Sequence, residues 1–219
     1  MFRKKILTIL TVVILLGACN VQATTIAFYS DGVIQEGDEY SYVGVYDDAT
    51  VNMTGGIVTV QLKACDLSTV NISGGILHAV FTSYGSASTL NLSGSMQANG
   101  VEIGRSGVLN MFGGSLGSVE IYSANAANLY GGTISDYLLA TSTVNIYGYG
   151  FEYDPLAGDY RGGQLTGFWL DDTPFSIDLY YDDTPGGAII DTYPHIVLIP
   201  EPTTILLLTL GGLILKKRN

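Results

Sequence analysis

Two carboxylates and one guanidinium have the best claim to chemistry in this chain of 219 residues. Glu102 and Glu120 each sit in the middle of an apolar-x-apolar triplet, Val101-Glu102-Ile103 and Val119-Glu120-Ile121, with Arg105 close to the first. In a β-strand the flanking apolar side chains turn to one face and the central residue to the other. If the two triplets lie on neighbouring strands, the carboxylates stack about 4.8 Å apart. At that spacing they raise each other's proton affinity or share a cation. Retaining glycoside hydrolases hold their two carboxyl groups about 5–5.5 Å apart. Glu102, Glu120 and Arg105 are therefore the catalytic candidates, for a polysaccharide lyase or hydrolase. The competing reading is a solvated acidic face neutralised by one arginine, with no catalysis at all.

Other chemistry is sparse. Acid-rich loops at Asp154 with Asp159, Asp171 with Asp172 and Asp182 with Asp183 offer oxygen ligands for structural calcium, but none has the spacing of a calcium loop. No other cofactor is implied. His78 and His195 are isolated, and no phosphate loop, CxxC or HExxH occurs. Of the two cysteines, Cys19 falls in the N-terminal segment, so no disulfide framework can form, and Cys65 reads as a small packing residue. The net charge of -11 understates the acidity of the body. Between residues 24 and 200 three basic residues, Lys63, Arg105 and Arg161, face 19 acids, a net -16. Such a surface repels nucleic acid, which excludes that partner.

The elements that would position these groups come from a repeat. Thr69-Val70-Asn71-Ile72-Ser73-Gly74-Gly75 has relatives centred on Asn52, Asn91, Asn110, Asn128 and Asn145, at intervals of 19, 20, 19, 18 and 17 residues. Period-two alternation makes each a short strand, and the Gly-Gly pairs supply a tight corner. A second strand recurs as Val43-Gly44-Val45, Val60-Gln61-Leu62, Ala79-Val80-Phe81, the two Glu triplets and Tyr137-Leu138-Leu139. One such repeat cannot bury its apolar face, but stacked copies can. In register, the six asparagines form a structural ladder of amides hydrogen-bonded along the stack. Outward Thr50, Thr69, Thr89 and Thr143 beside them could order water, so ice binding is a further functional class, although Val108 and Ala126 interrupt that column.

Beyond the repeat, Gln164–Leu170 and Phe175–Tyr180 flank the turn Asp171-Asp172-Thr173-Pro174 as a hairpin, followed by a strand over His195–Ile199. Residues 1–23 have a basic start, an apolar run and small residues before Ala23, the pattern of a secretory signal peptide; Leu16-Gly17-Ala18-Cys19 offers lipidation of Cys19 as the alternative processing.

At the other end Pro200-Glu201-Pro202 precedes an apolar run, residues 203–215, and then Lys216-Lys217-Arg218. This tail resembles the PEP-CTERM sorting signal of Gram-negative bacteria, a signature also labelled an ice-binding-protein C-terminal domain. The segment Gly163–Pro174 is similar to one that recurs ahead of that signal, where Gly is expected at Asp172. The resemblance implies a membrane exosortase as partner, cleavage near Pro200 to Pro202, a transient inner-membrane anchor through residues 203–215, and export to the cell surface or an exopolysaccharide matrix.

The sequence thus predicts an all-β chain, a single-stranded parallel β-solenoid of about six coils, read as a right-handed β-helix. Its parts are a signal peptide (1–23), an N-terminal cap (24–42), the solenoid repeats (43–150), a C-terminal β-hairpin cap (151–199) and the sorting signal with a short transmembrane helix (200–219). The function expected is that of an exported structural or adhesive surface protein, with the carbohydrate-active enzyme and the ice-binding protein as alternatives.

Overall fold

The computed structural model describes residues 24–200 apart from 83–86, 105, 123, 125 and 186. Thirteen strands build the coils: β1 (Thr25–Phe28), β2 (Gly32–Ile34), β3 (Glu39–Val45), β4 (Thr50–Met53), β5 (Ile57–Ala64), β6 (Thr69–Ile72), β7 (Ile76–Thr82), β8 (Thr89–Leu92), β9 (Gln97–Ile103), β10 (Val108–Ile121), β11 (Ala126–Ile134), β12 (Leu138–Ala140) and β13 (Val144–Asp154). The chain is all-β and winds as a β-solenoid of six turns, each strand pairing in parallel with its counterpart one turn away.

Each turn makes three short straight runs. The first carries the asparagine, and its register is unbroken: Asn52, Asn71, Asn91, Asn110, Asn128 and Asn145 are successive Cα partners. On either side of every asparagine the apolar neighbours point inward. Val51 and Met53, Val70 and Ile72, Leu90 and Leu92, Leu109 and Met111, Ala127 and Leu129, Val144 and Ile146 are all fully buried. Burying one such side chain is worth roughly 1.5–3 kcal/mol for the larger aliphatics, and the stack gains it only because each coil covers the next.

The corner after this run explains the glycine pairs. Gly75 has φ 95°, a left-handed conformation that penalises any side chain. A Cβ there would also lie 2.5 Å from Met53 Cε and 2.8 Å from the Gly56 carbonyl oxygen of the preceding coil. The second run is two residues long, Ile57–Val58 and its counterparts, and the third carries the triplets.

The triplet register differs from the expected one. The third run aligns Val43-Gly44-Val45 with Leu62-Lys63-Ala64, Val80-Phe81-Thr82, Val101-Glu102-Ile103, Val119-Glu120-Ile121 and Leu138-Leu139-Ala140. Val60-Gln61-Leu62, Ala79-Val80-Phe81 and Tyr137-Leu138-Leu139 are therefore displaced by one or two positions. For the first of these the cause is a bulge between Val58 and Leu62, which leaves Val60 exposed at the corner while Leu62 and Ala64 stay buried.

The stretch ahead of the repeat joins the stack directly, β1 pairing with β3 and β2 with β4. At the far end β13 runs on into an antiparallel unit with β14 (Arg161–Trp169) and β15 (Pro174–Asp182), followed by β16 (Ile190–Asp191), a 3-10 turn at Tyr193–His195 and β17 (Ile196–Pro200). Trp169, Phe175, Ile177 and Leu179 close the open end of the core, and the Trp169 indole N–H donates to the Gly132 carbonyl at 3.0 Å. β17 lies parallel on β13 as a last rung of the asparagine run.

The expected C-terminal transmembrane helix is withdrawn. Among the described residues no helix is long and apolar enough to cross a membrane. Segment 203–215 lies outside the described residues, and its 13 positions would reach only about 20 Å as a helix against a bilayer core of about 30 Å. The membrane partner, the exosortase partner and the transient inner-membrane anchor, which the resemblance of the tail implied, are withdrawn with it. The signal peptide (1–23, with Cys19), Glu201 and Pro202 also lie outside the described residues, whereas Pro200 ends β17, opposite Gly148.

Candidate functional site

Glu102 and Glu120 are direct Cα partners on adjacent rungs of the third run, in one outward column with Lys63 and Phe81. Beside them Ala79, Gly100 and Ser118 form a second column of small residues. The two columns bound a shallow groove of about 200 Å³, lined by Ala79, Phe81, Gly100, Val101, Glu102, Ser118 and Glu120. The floor is low because Gly100 has no side chain and its neighbours are small.

Tyrosines complete the surroundings of Glu120. The Tyr122 hydroxyl donates to Glu120 Oε2 at 2.9 Å, and the Tyr137 hydroxyl donates to Oε1 at 2.6 Å. Burial, and then these bonds to the carboxylate, push the Tyr137 phenol up to about 12 and raise that of Tyr122 still further. Tyr160 and Tyr180 pack behind Tyr137, with ring centroids 4.8 and 5.3 Å away. Each oxygen of Glu120 thus accepts one hydrogen bond within the protein, which orients the carboxylate and leaves one lone pair on each oxygen. The structure brings Glu102 and Glu120 together on one face. Arg105, the third catalytic candidate, lies outside the described residues.

Five of the six calcium candidates hold partners within the protein, Asp172 accepting from the Tyr149 hydroxyl at 2.7 Å. Asp171 accepts from the Thr173 hydroxyl and amide, and those bonds hold its carboxyl below the usual range. Asp182 does the same with Thr184, Asp183 pairs with Arg161 at 2.9 Å, and Asp154 accepts from the Leu156 amide. Among the described residues no three His, Cys, Asp or Glu side chains converge on a metal-sized site. His78 meets the Asn99 side chain at 3.0 Å, and His195 ends the 3-10 turn.

On the asparagine face the polar side chains bond to one another along the rod. The Nδ2 of Asn71 donates to Asn52 Oδ1, Asn91 to Asn71, Asn110 to Asn91, Asn128 to Asn110 and Asn145 to Asn128, all at 2.8–2.9 Å. The sense is uniform, every donor pointing toward the N-terminal end. The neighbouring column aligns Thr50, Thr69 and Thr89 with Val108 and Ala126, so the hydroxyl array stops after three coils.

One feature of this face went unread in the sequence. Two residues beyond each asparagine stand Thr54, Ser73 and Ser93 in the first three coils and Phe112, Tyr130 and Tyr147 in the last three. The three rings stack, Phe112 on Tyr130 at 4.8 Å and 5° and Tyr130 on Tyr147 at 4.2 Å and 19°. The signal was present in the change from Asn-x-Ser/Thr-Gly to Asn-x-aromatic-Gly.

The fold defines the class, a parallel β-solenoid with an antiparallel cap. No family model matches this chain, and neither does any curated protein or solved structure.

Proposed function

We propose that this chain is an exported structural or adhesive protein of the cell surface or extracellular matrix. The observation that carries the reading is the asparagine ladder: along one whole face the polar groups are joined to each other from coil to coil, the economy of a rod rather than of a reaction centre. The acidic body supports it, because a net -16 between residues 24 and 200 keeps a rod soluble outside the cell. The signal-peptide pattern of residues 1–23 supports export. The test is proteolysis of intact cells expressing the tagged chain. Digestion of the tag without lysis is the expected result, and a chain fully protected until lysis refutes the reading.

A second reading, a carbohydrate-active enzyme, draws on the Glu102–Glu120 rung and its tyrosines. Its test is sugar release from a broad panel of polysaccharides by the chain and loss of that release in Glu102→Gln; no release from any of them rejects it.

A further inference from the structure

The aromatic column begins abruptly, and its first ring is the most exposed. Phe112 is 56% exposed, whereas Tyr130 and Tyr147 are half-buried. One face of Phe112 lies on Tyr130. The other is turned toward the coil of Ser93, whose side chain is too small to cover it. Because the rings repeat at the rung spacing and are nearly parallel, their planes lie across the rod axis. The free face of Phe112 therefore looks along the rod, over a ledge.

That ledge is polar and uncharged. Asn91 uses one N–H toward Asn71 and one lone pair toward Asn110, which leaves a second donor and a second acceptor outward. The exposed Ser95 adds a hydroxyl, and Ser93, whose hydroxyl donates to the Ile72 carbonyl at 3.5 Å, adds an acceptor. The corner here is also longer: six positions separate Asn91 from Gln97, while five separate Asn71 from Ile76 and Asn110 from Ser115, although Ile76, Gln97 and Ser115 are register partners. The repeat thus departs from its pattern in two ways at one place, with an added residue and a change from hydroxyl to ring.

We infer that Phe112, Ser93, Ser95 and Asn91 form a binding ledge for a neutral, β-1,4-linked pyranose polysaccharide. This inference rests on the adhesive reading above and names its ligand. A pyranose with equatorial hydroxyls has an apolar C–H face that suits the electron-rich face of an aromatic ring, and a rim of hydroxyls that suits paired amide and hydroxyl groups. The surrounding charge selects a neutral polymer, since a body of -16 repels polyuronates. Geometry sets the direction of the chain. Equatorial linkages leave a pyranose in the plane of its ring, and the Phe112 plane lies across the axis, so the polysaccharide crosses the rod rather than running along it.

The test uses the full chain in native gels containing hydroxyethylcellulose or alginate, with titration calorimetry against cellohexaose. The wild type is retarded by hydroxyethylcellulose and not by alginate. Phe112→Ser, which continues the Ser93 column, weakens cellohexaose binding about tenfold, as loss of one stacking contact requires, and Phe112→Trp retains it. Ser93→Leu fills the ledge while leaving the ring stack in place, and both it and Phe112→Ser are retarded less than the wild type; circular dichroism confirms the fold of each variant. Equal retardation of wild type, Phe112→Ser and Ser93→Leu overturns the inference, as does a wild type that ignores hydroxyethylcellulose or prefers alginate. Surface delivery is scored separately by proteolysis, so a chain that reaches the surface but fails these gels rejects the ledge alone.

Discussion

Replacing Asn91 with alanine removes two hydrogen bonds, the one it donates to Asn71 and the one it accepts from Asn110. Replacing Asn145, on the last asparagine rung, removes one. A hydrogen bond of this kind contributes about 0.5–1.5 kcal/mol net. These amides are half-exposed, so groups freed by the substitution recover water and no buried orphan is left. The expected losses are then about 2 kcal/mol for Asn91→Ala and about 1 kcal/mol for Asn145→Ala. For a domain of this size 1 kcal/mol moves Tm by roughly 2–4 °C, which gives shifts of about 4–8 °C and 2–4 °C. Asn91→Asp is the informative control. It still accepts from Asn110 but cannot donate to Asn71, so it loses one bond and places an anion on an already acidic rod. Thermal unfolding followed by far-UV circular dichroism, with urea titration to check that the m-value is unchanged, measures all three. Equal losses at Asn91 and Asn145, or no loss at either, refute the claim that the ladder is an energetic unit.

Other perturbations separate the remaining contributions. Gly75→Ala meets a left-handed backbone, Met53 and the coil above, and should cost about 3 kcal/mol, whereas Gly37→Ala, with φ 90° but nothing within 4 Å, should cost about 1–2 kcal/mol; similar urea midpoints for the two would show that packing at the corner is irrelevant. The Tyr137 phenol, raised by burial and then by Glu120 to about 12, contributes stability that is present below the unfolded value near 10 and is lost as pH rises through about 12. Spectrophotometric titration should show Tyr137 and Tyr122 ionising last, together with alkaline unfolding, and a single transition of all phenols near 10 contradicts this. Trp169→Ala opens the capped end of the core and should cost about 3–5 kcal/mol. Trp169 is the one tryptophan, so its fluorescence in the wild type reports on the cap, and a circular dichroism melt unchanged by the substitution would place the cap outside the cooperative unit.

The asparagine run was legible because two independent signals coincide there, a fixed interval and strict alternation between buried and outward positions. The third run was less so. Ile57–Ala64 places Val58, Val60, Leu62 and Ala64 two apart, and alternation alone assigns all four to the core; the bulge sends Val60 outward, and no residue type in the stretch announces it. Phe81 misled for a different reason: an apolar residue reads as core, yet it stands in the outward column and walls the groove beside Glu102. Leu139, buried against the cap rather than by the coils, needed the position of β15 and β16 to be understood. The Glu102–Glu120 pairing followed from the interval, but Tyr122 and Tyr137 did not, because they reach Glu120 from two residues and from a full coil away. At Asp172, where the resemblance expects Gly, φ is 66°, so the turn has the backbone that glycine favours and aspartate tolerates.

The ladder also has ends. The rung before Asn52 presents Val33, and the rung after Asn145 presents Val197. Stacked amides in register are the grammar of fibrils, in which every added molecule finds the same unsatisfied pair waiting. Here the leading amide donor and the trailing amide acceptor each meet a valine, which can neither accept nor give. The two valines act as full stops: they fix the length of the hydrogen-bonded column within one molecule and deny a second molecule the template that would let growth propagate.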